Sequence, residues 1–147
     1  MVLKMLSIED MNITGKTVFV RVDMNTPIDP KTGKLMEFNR IKEASVTIRD
    51  LKKSKVVVAS HQGRVGRNDF ISLEQHAEAL ANFLGYEVKF VDDIFGPTAR
   101  KKIDSLSIGE VLLLDNLRLS AEENKEFIPK DAAKTMLVQR LYKLFDV

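Results

Sequence analysis

The residues of this chain best equipped for chemistry stand directly behind short apolar runs. Val18-Phe19-Val20-Arg21-Val22 passes into Asp23-Met24-Asn25, a carboxylate and a carboxamide two residues apart, and Thr26-Pro27 then bends the chain away. Val56-Val57-Val58-Ala59 passes into Ser60-His61-Gln62-Gly63-Arg64, and Val111-Leu112-Leu113-Leu114 into Asp115-Asn116-Leu117-Arg118. An imidazole, a glycine and a guanidinium in one loop suit a phosphate. Arg offers a planar fork, His a single N–H, and main-chain N–H groups near the glycine complete the cradle. Asp23 and Asn25 offer acceptors and donors to a hydroxyl or a polar ligand edge. The same pair before Thr-Pro is also the composition of an ordinary turn, and residues 61–64 also fit a solvated loop. The sequence leaves these alternatives open.

Other charged residues carry less information. Arg118 follows Asn116 behind an apolar run, although one arginine is as readily explained by a surface salt bridge. Arg40 precedes Ile41 at a helix start, where the helix dipole disfavours a cation, and a cation in an unfavourable place hints at a task. His76 falls inside a helical pattern next to Ala77 and is assigned to packing. Asp92-Asp93 has no third ligand at a sensible spacing, so it reads as a polar strand end and no metal site is expected.

The elements that must position these groups alternate in type. The apolar runs are short and rich in β-branched residues, as buried parallel strands are, and a fourth, Val88-Lys89-Phe90-Val91, ends on Asp92-Asp93. Between them, Ile41, Ala44, Ile48 and Leu51 recur at helical spacing. Leu73, Ala77, Leu80 and Leu84 do so again, with Ser72-Leu73-Glu74-Gln75 in the form of a capping box and Gly85 as a stop. Gly96-Pro97 opens a shorter helix ending near Leu106. Pro129 to Leu144 reads as one amphipathic helix with Ala133, Met136, Leu137, Leu141 and Leu144 on its stripe. Alternation of this kind predicts an α/β fold, a three-layer open parallel sheet with helices on both faces, whose ligand lies beyond the C-terminal strand ends. Asp29-Pro30-Lys31-Thr32-Gly33-Lys34 is a turn and Val65-Gly66-Arg67-Asn68-Asp69 a polar loop. Phe145-Asp146-Val147 resembles the first residues of another strand, so the sheet is expected to be truncated at its C-terminal end.

Composition limits the function classes. At 147 residues the chain is one domain long, and 44% apolar with 30% charged residues fits a globular protein rather than a disordered one. A net charge of +2, with no gathered basic run, gives no support for nucleic acid. The absence of cysteine excludes disulfides, thiol catalysis and Cys-based zinc sites. Met1-Val2-Leu3-Lys4-Met5-Leu6 lacks the core and cleavage site of a signal peptide, and no apolar run approaches a membrane span, so a cytoplasmic location is expected. No Walker loop, no Gly-x-Gly-x-x-Gly and no Ser-His-Asp arrangement occurs.

Taken together, the motifs resemble a known family. Arg21-Val22-Asp23-Met24-Asn25 is similar to the Arg-Val-Asp-Phe-Asn signature of phosphoglycerate kinases, and Arg40-Ile41 to their Thr-Arg-Ile. Ser60-His61-Gln62-Gly63-Arg64 resembles Ser-His-Leu-Gly-Arg-Pro, and Asp115-Asn116-Leu117-Arg118-Leu119 resembles Glu-Asn-Leu-Arg-Phe. Phe90-Val91-Asp92-Asp93 and Gly109-Glu110-Val111-Leu112-Leu113-Leu114 agree in order between them. Gln62 and Gln75-His76-Ala77-Glu78 bring the chain nearest the archaeal branch.

The resemblance implies a Rossmann-like domain and a reversible phosphoryl transfer between 1,3-bisphosphoglycerate and Mg-ADP, giving 3-phosphoglycerate and Mg-ATP. Residues 1–147 would be the incomplete N-terminal, triose-binding domain. The nucleotide would be held by a C-terminal domain outside this chain, so the chain alone should be inactive and hold no cofactor. Asp23 and Asn25 would contact the glycerate hydroxyl and carboxyl end. Arg40 would stabilise the phosphoryl in flight as the catalytic cation, while His61, Arg64 and Arg118 would grip the phosphate that stays. Phe38-Asn39 before Arg40, and Val65 where the family has Pro, depart from the pattern. The next strand, with Asn-Asp-Ala-Phe and Ala-His-Arg, is also absent. A non-catalytic anion-binding or interaction module of the same fold is the alternative; a receiver-like domain with Asp23 as phosphoacceptor lacks the acidic pair and late lysine it would need. An open sheet edge near Phe145-Asp146-Val147 suggests that the chain forms a dimer. No membrane partner is expected.

Overall fold

The apolar runs become four parallel strands in the order β1-β2-β4-β3: β1 (Thr17–Arg21), β2 (Lys55–Ala59), β3 (Val88–Val91) and β4 (Val111–Leu114). The computed structural model describes residues 6–147, so Met1–Met5, part of the stretch read for a targeting signal, lies outside the described residues. Register is set by the side-chain alternation of the central strands. Val56, Val57 and Val58 of β2 face Val111, Leu112 and Leu113 of β4. Val56, Val58, Val111 and Leu113 enter one core layer, and Val57, Leu112 and Leu114 the other.

The helices obey the crossover rule. α1 (Asn39–Asp50) and α2 (Glu74–Leu84) follow connections that move the same way along the sheet, and both pack on the first layer. β3 to β4 moves back, so a crossover of the same hand puts α3 (Pro97–Asp104) on the opposite face. Ile41, Ala44, Ile48 and Leu51, and likewise Leu73, Ala77, Leu80 and Leu84, are all buried, as their spacing predicts. The result is the expected three-layer α/β sheet. The loops after β2 and β4 leave adjacent strands and part company, which opens a crevice at their C-terminal ends.

Two local expectations fail. The capping box at α2 is not formed, because Leu73 occupies the cap and Ser72 Oγ accepts only from the Glu74 N–H at 3.3 Å. The Gln75 side chain turns away instead, donating to the Gly33 carbonyl at 2.9 Å and accepting from the Leu35 N–H. The long C-terminal helix is broken into α4 (Pro129–Ala132) and α5 (Met136–Leu141), followed by a 3-10 turn over Tyr142–Leu144. Thr135 is extended at ψ 152°, and its hydroxyl donates back to the Ala132 carbonyl at 2.7 Å, the competition with helix that Thr side chains offer. The Glu122 carboxylate then accepts from the Met136 and Leu137 N–H groups at 2.9 and 2.8 Å and restarts the helix. Leu141 is buried, but Ala133 and Met136 are exposed, so the predicted stripe is only half realised.

Candidate anion-binding site

Asp23 and Asn25 form the turn that their place before Thr-Pro allows. Asp23 Oδ1 accepts from the Asn25 N–H at 3.0 Å, closing a turn, while its Oδ2 accepts from Arg40 Nη1 at 2.7 Å. Burial opposes the charge on Asp23, but the Asn25 N–H and the Arg40 guanidinium outweigh it and hold the carboxyl below its ordinary range. Asn25 Oδ1 accepts from the Gly63 N–H at 2.8 Å, which ties the loop after β1 to the loop after β2.

Gly63 lies where no other residue fits. Its φ is +64°, and a Cβ there would stand 2.3 Å from the Asp69 carbonyl oxygen. The loop therefore folds back on itself behind Gly63, and the Gly63 carbonyl accepts from Arg118 Nη1 of the third loop. Two main-chain N–H groups of the loop are already taken, Gly63 N–H by Asn25 Oδ1 and Gln62 N–H by Asn116 Oδ1 at 3.3 Å, so neither of these two is open to a ligand.

Asn116 is the strut under Arg118. Its Nδ2 donates to the Gln62 carbonyl at 2.7 Å and the Ile71 carbonyl at 2.9 Å, and its Oδ1 accepts from the Arg118 N–H at 3.2 Å. Asp115, buried beside it, accepts from the Leu73 and Asn116 N–H groups. Two residues from the sequence motifs thus support the site from below without reaching it. His76 is fully buried in α2 with Nε2 3.1 Å from Gln62 Oε1, in keeping with the packing role read for it. Asp93 is a cap: its carboxylate accepts from the Ile94, Gly96 and Ala99 N–H groups at the start of α3.

Above these struts lies an open recess of about 430 Å³ lined by Asn25, His61, Gly63, Arg64, Arg67, Asp69 and Arg118. Burial lowers the pKa of His61, with the adjacent Arg118 cation acting in the same direction, so at neutral pH the ring supplies a neutral N–H. Asp23 partly offsets that shift, so His61 lies within the field of both the Asp23–Arg40 pair and the recess. The sequence shows Arg67 only as part of a polar loop, an arginine two residues beyond Val65 in a glycine-bearing turn. An apolar hollow of about 550 Å³ beside β1 and α5 contains one arginine, Arg21, already paired with Glu123. Among the described residues no cluster of three His, Asp or Glu side chains could hold a metal ion.

Guanidinium groups at one end and the Asp23–Arg40 pair at the other suit a small ligand with a phosphate at one end and polar groups at the other. No helix among the described residues is long and apolar enough to cross a membrane.

The phosphoglycerate kinase family model matches residues 8–147. The phosphoglycerate kinase of Sulfurisphaera tokodaii is 50% identical over 141 residues, covering 95% of this chain and 34% of its own length. That of Methanothermobacter thermautotrophicus is 45% identical over 145 residues, covering 97% and 35%. The crystal structure of phosphoglycerate kinase from Pyrococcus horikoshii OT3 superposes with a TM-score of 0.93 at 43% identity, over 97% of this chain and 35% of that one. The chain spans about a third of the length of the curated relatives it matches. Its fold, its ordered strand-end motifs and these likenesses agree, and the chain belongs to the phosphoglycerate kinase family.

Proposed function

We propose that this chain is the triose-holding part of a phosphoglycerate kinase, binding 3-phosphoglycerate and 1,3-bisphosphoglycerate at the crevice between β2 and β4. The observation that carries the reading is the polar recess of Arg64, Arg118 and His61, set apart from the Asp23–Arg40 pair. Arg64 and Arg118 hold the phosphate that is not transferred, with the neutral His61 donating one N–H. Asn25, whose Nδ2 is left over after Oδ1 binds Gly63, and Asp23 meet the hydroxyl and carboxyl end. Arg40 swings from Asp23 to the phosphoryl group as it moves between carboxyl and nucleotide. Mg-ADP and Mg-ATP are held by chain beyond these residues and supply the acceptor and donor. Direct transfer asks the protein for positioning and cations rather than covalent participation.

In this reading residues 1–147 form an incomplete N-terminal domain of a cytoplasmic enzyme and are inactive alone. A coupled assay on the natural full-length chain tests the activity, and calorimetry with 3-phosphoglycerate tests the site. Binding without turnover in the full-length chain would favour the non-catalytic anion-binding module instead. ATP formation from 1,3-bisphosphoglycerate by these 147 residues alone would overturn the division of labour.

A further inference from the structure

We propose that Arg67 is a third guanidinium on the non-transferred phosphate, and that it makes the recess match a phosphate dianion. The proposal rests on the triose-binding reading above and adds a residue and a charge preference to it.

The path of the loop brings Arg67 there. Gly66 takes φ +83°, and the Arg67 N–H donates to the Arg64 carbonyl at 3.0 Å, so the turn returns Arg67 to the recess that Arg64 lines. The Phe70 N–H in turn donates to the Arg67 carbonyl at 3.1 Å, fixing the turn from its far side. Arg118 spends one N–H on Gly63, whereas the side chains of Arg64 and Arg67 make no hydrogen bond or ion pair among the described residues. Two guanidinium forks on one short loop are thus left with no acceptor from the protein.

Charge decides how many of them the ligand needs. Asp69 also lines the recess, and its Oδ1 is buried with no hydrogen-bond partner, so a carboxylate stands close to where a phosphate would rest. With His61 neutral, Arg64 and Arg118 against Asp69 leave a net charge of +1. Arg67 brings the recess to +2. A phosphate monoester carries close to two negative charges at pH 7, its second proton leaving near pH 6. Among the described residues, the recess without Arg67 is one charge short of such a ligand, and the Asp69 carboxylate stands beside it.

Initial-rate kinetics on the natural full-length chain, with 3-phosphoglycerate varied at saturating Mg-ATP, provide the test. Arg67→Met should raise KM roughly tenfold, the value of one charge-assisted hydrogen bond, with the loss falling on KM rather than kcat. Arg67→Lys, which restores charge without the fork, should recover part of it. Between pH 7.5 and 5.5 the rise in KM as the phosphate protonates should be smaller in Arg67→Met than in the parent. Arg67 is exposed, so these variants should fold. If Arg67→Met left KM and its pH dependence unchanged while Arg64→Met and Arg118→Met raised KM, the Arg67 assignment would be wrong and the triose reading would stand. If none of the three raised KM, the triose reading itself would fall.

Discussion

The side chain of Gln62 holds Thr26 by both of its main-chain polar groups. Oε1 accepts from the Thr26 N–H at 2.9 Å, and Nε2 donates to the Thr26 carbonyl at 2.9 Å. A residue 36 positions away in sequence therefore pairs with Thr26 much as a neighbouring strand would. Nε2 also reaches the Asp69 carbonyl at 3.2 Å, and Oε1 receives His76 Nε2. Gln62 is fully buried, so these bonds are made away from water. They join the loop carrying Asn25, the loop carrying His61 and Gly63, and the turn carrying Asp69.

Replacing Gln62 by Leu, the residue usual in the family signature, should destabilise this chain by about 3 kcal/mol. Thr26 would lose partners for both main-chain groups, and a buried unsatisfied polar group costs on the order of 1–3 kcal/mol. Urea denaturation of the parent and of Gln62→Leu measures the difference. A loss below about 1 kcal/mol would mean that the loop finds other partners.

His76 makes stability depend on pH. Burial pushes its pKa from 6.5 down to about 4, with the Met24 main chain and, to a lesser degree, the Asp115 carboxylate offsetting only part of the shift. The unfolded chain takes up this proton near pH 6.5 and the folded chain only near pH 4, so between those values the unfolded state binds more protons. Stability should be fully present above pH 6.5 and fall as pH drops toward 4, by about 3 kcal/mol from this residue. His61, also lowered, acts in the same direction. Denaturation at pH 7 and 4.5 should show a smaller difference in His76→Gln than in the parent.

The division between what the residues disclosed and what they concealed follows the range of the interactions. Leu73, Ala77, Leu80 and Leu84 announce a buried face because their spacing is local, and the strand-end positions of His61, Arg64 and Arg118 follow from short apolar runs. Gln62 reads as a neutral substitution until Thr26, Asp69 and His76 are seen around it. The break in the last helix depends on Glu122, fourteen positions before Met136, and so leaves periodicity intact. Arg67 was hidden for the same reason, since a loop's path is set by contacts such as Gly63 against the Asp69 carbonyl.

The arginines should separate kinetically in the natural full-length chain. Arg40 pairs with Asp23 outside the recess that Arg118 lines. If its charge partner develops only during transfer, Arg40→Ala should lower kcat by roughly 100-fold or more with a small change in KM. On the triose-binding reading proposed above, Arg118→Ala should raise the KM for 3-phosphoglycerate roughly tenfold, because the phosphate assigned to it is the one that is not transferred. A pure KM effect in Arg40→Ala would remove it from the transferring end.

The dimer expected from an open sheet edge meets a competitor within the chain. The Asp146 N–H donates to the Thr17 carbonyl at 2.9 Å, and the Phe19 N–H donates to the Val147 carbonyl at 2.8 Å. Asp146 Oδ2 also accepts from the Thr17 N–H at 2.8 Å, and the Phe145 and Phe19 rings lie 4.8 Å apart. These contacts occupy the groups on the edge of β1 through which a second copy would pair. Light scattering on these 147 residues should therefore give the monomer mass into the high micromolar range. Asp146→Pro removes both the N–H and the carboxylate that hold Thr17. It should free that edge and raise the apparent mass with concentration. A parent that doubles in mass while Asp146→Pro behaves identically would place the self-association elsewhere on the molecule.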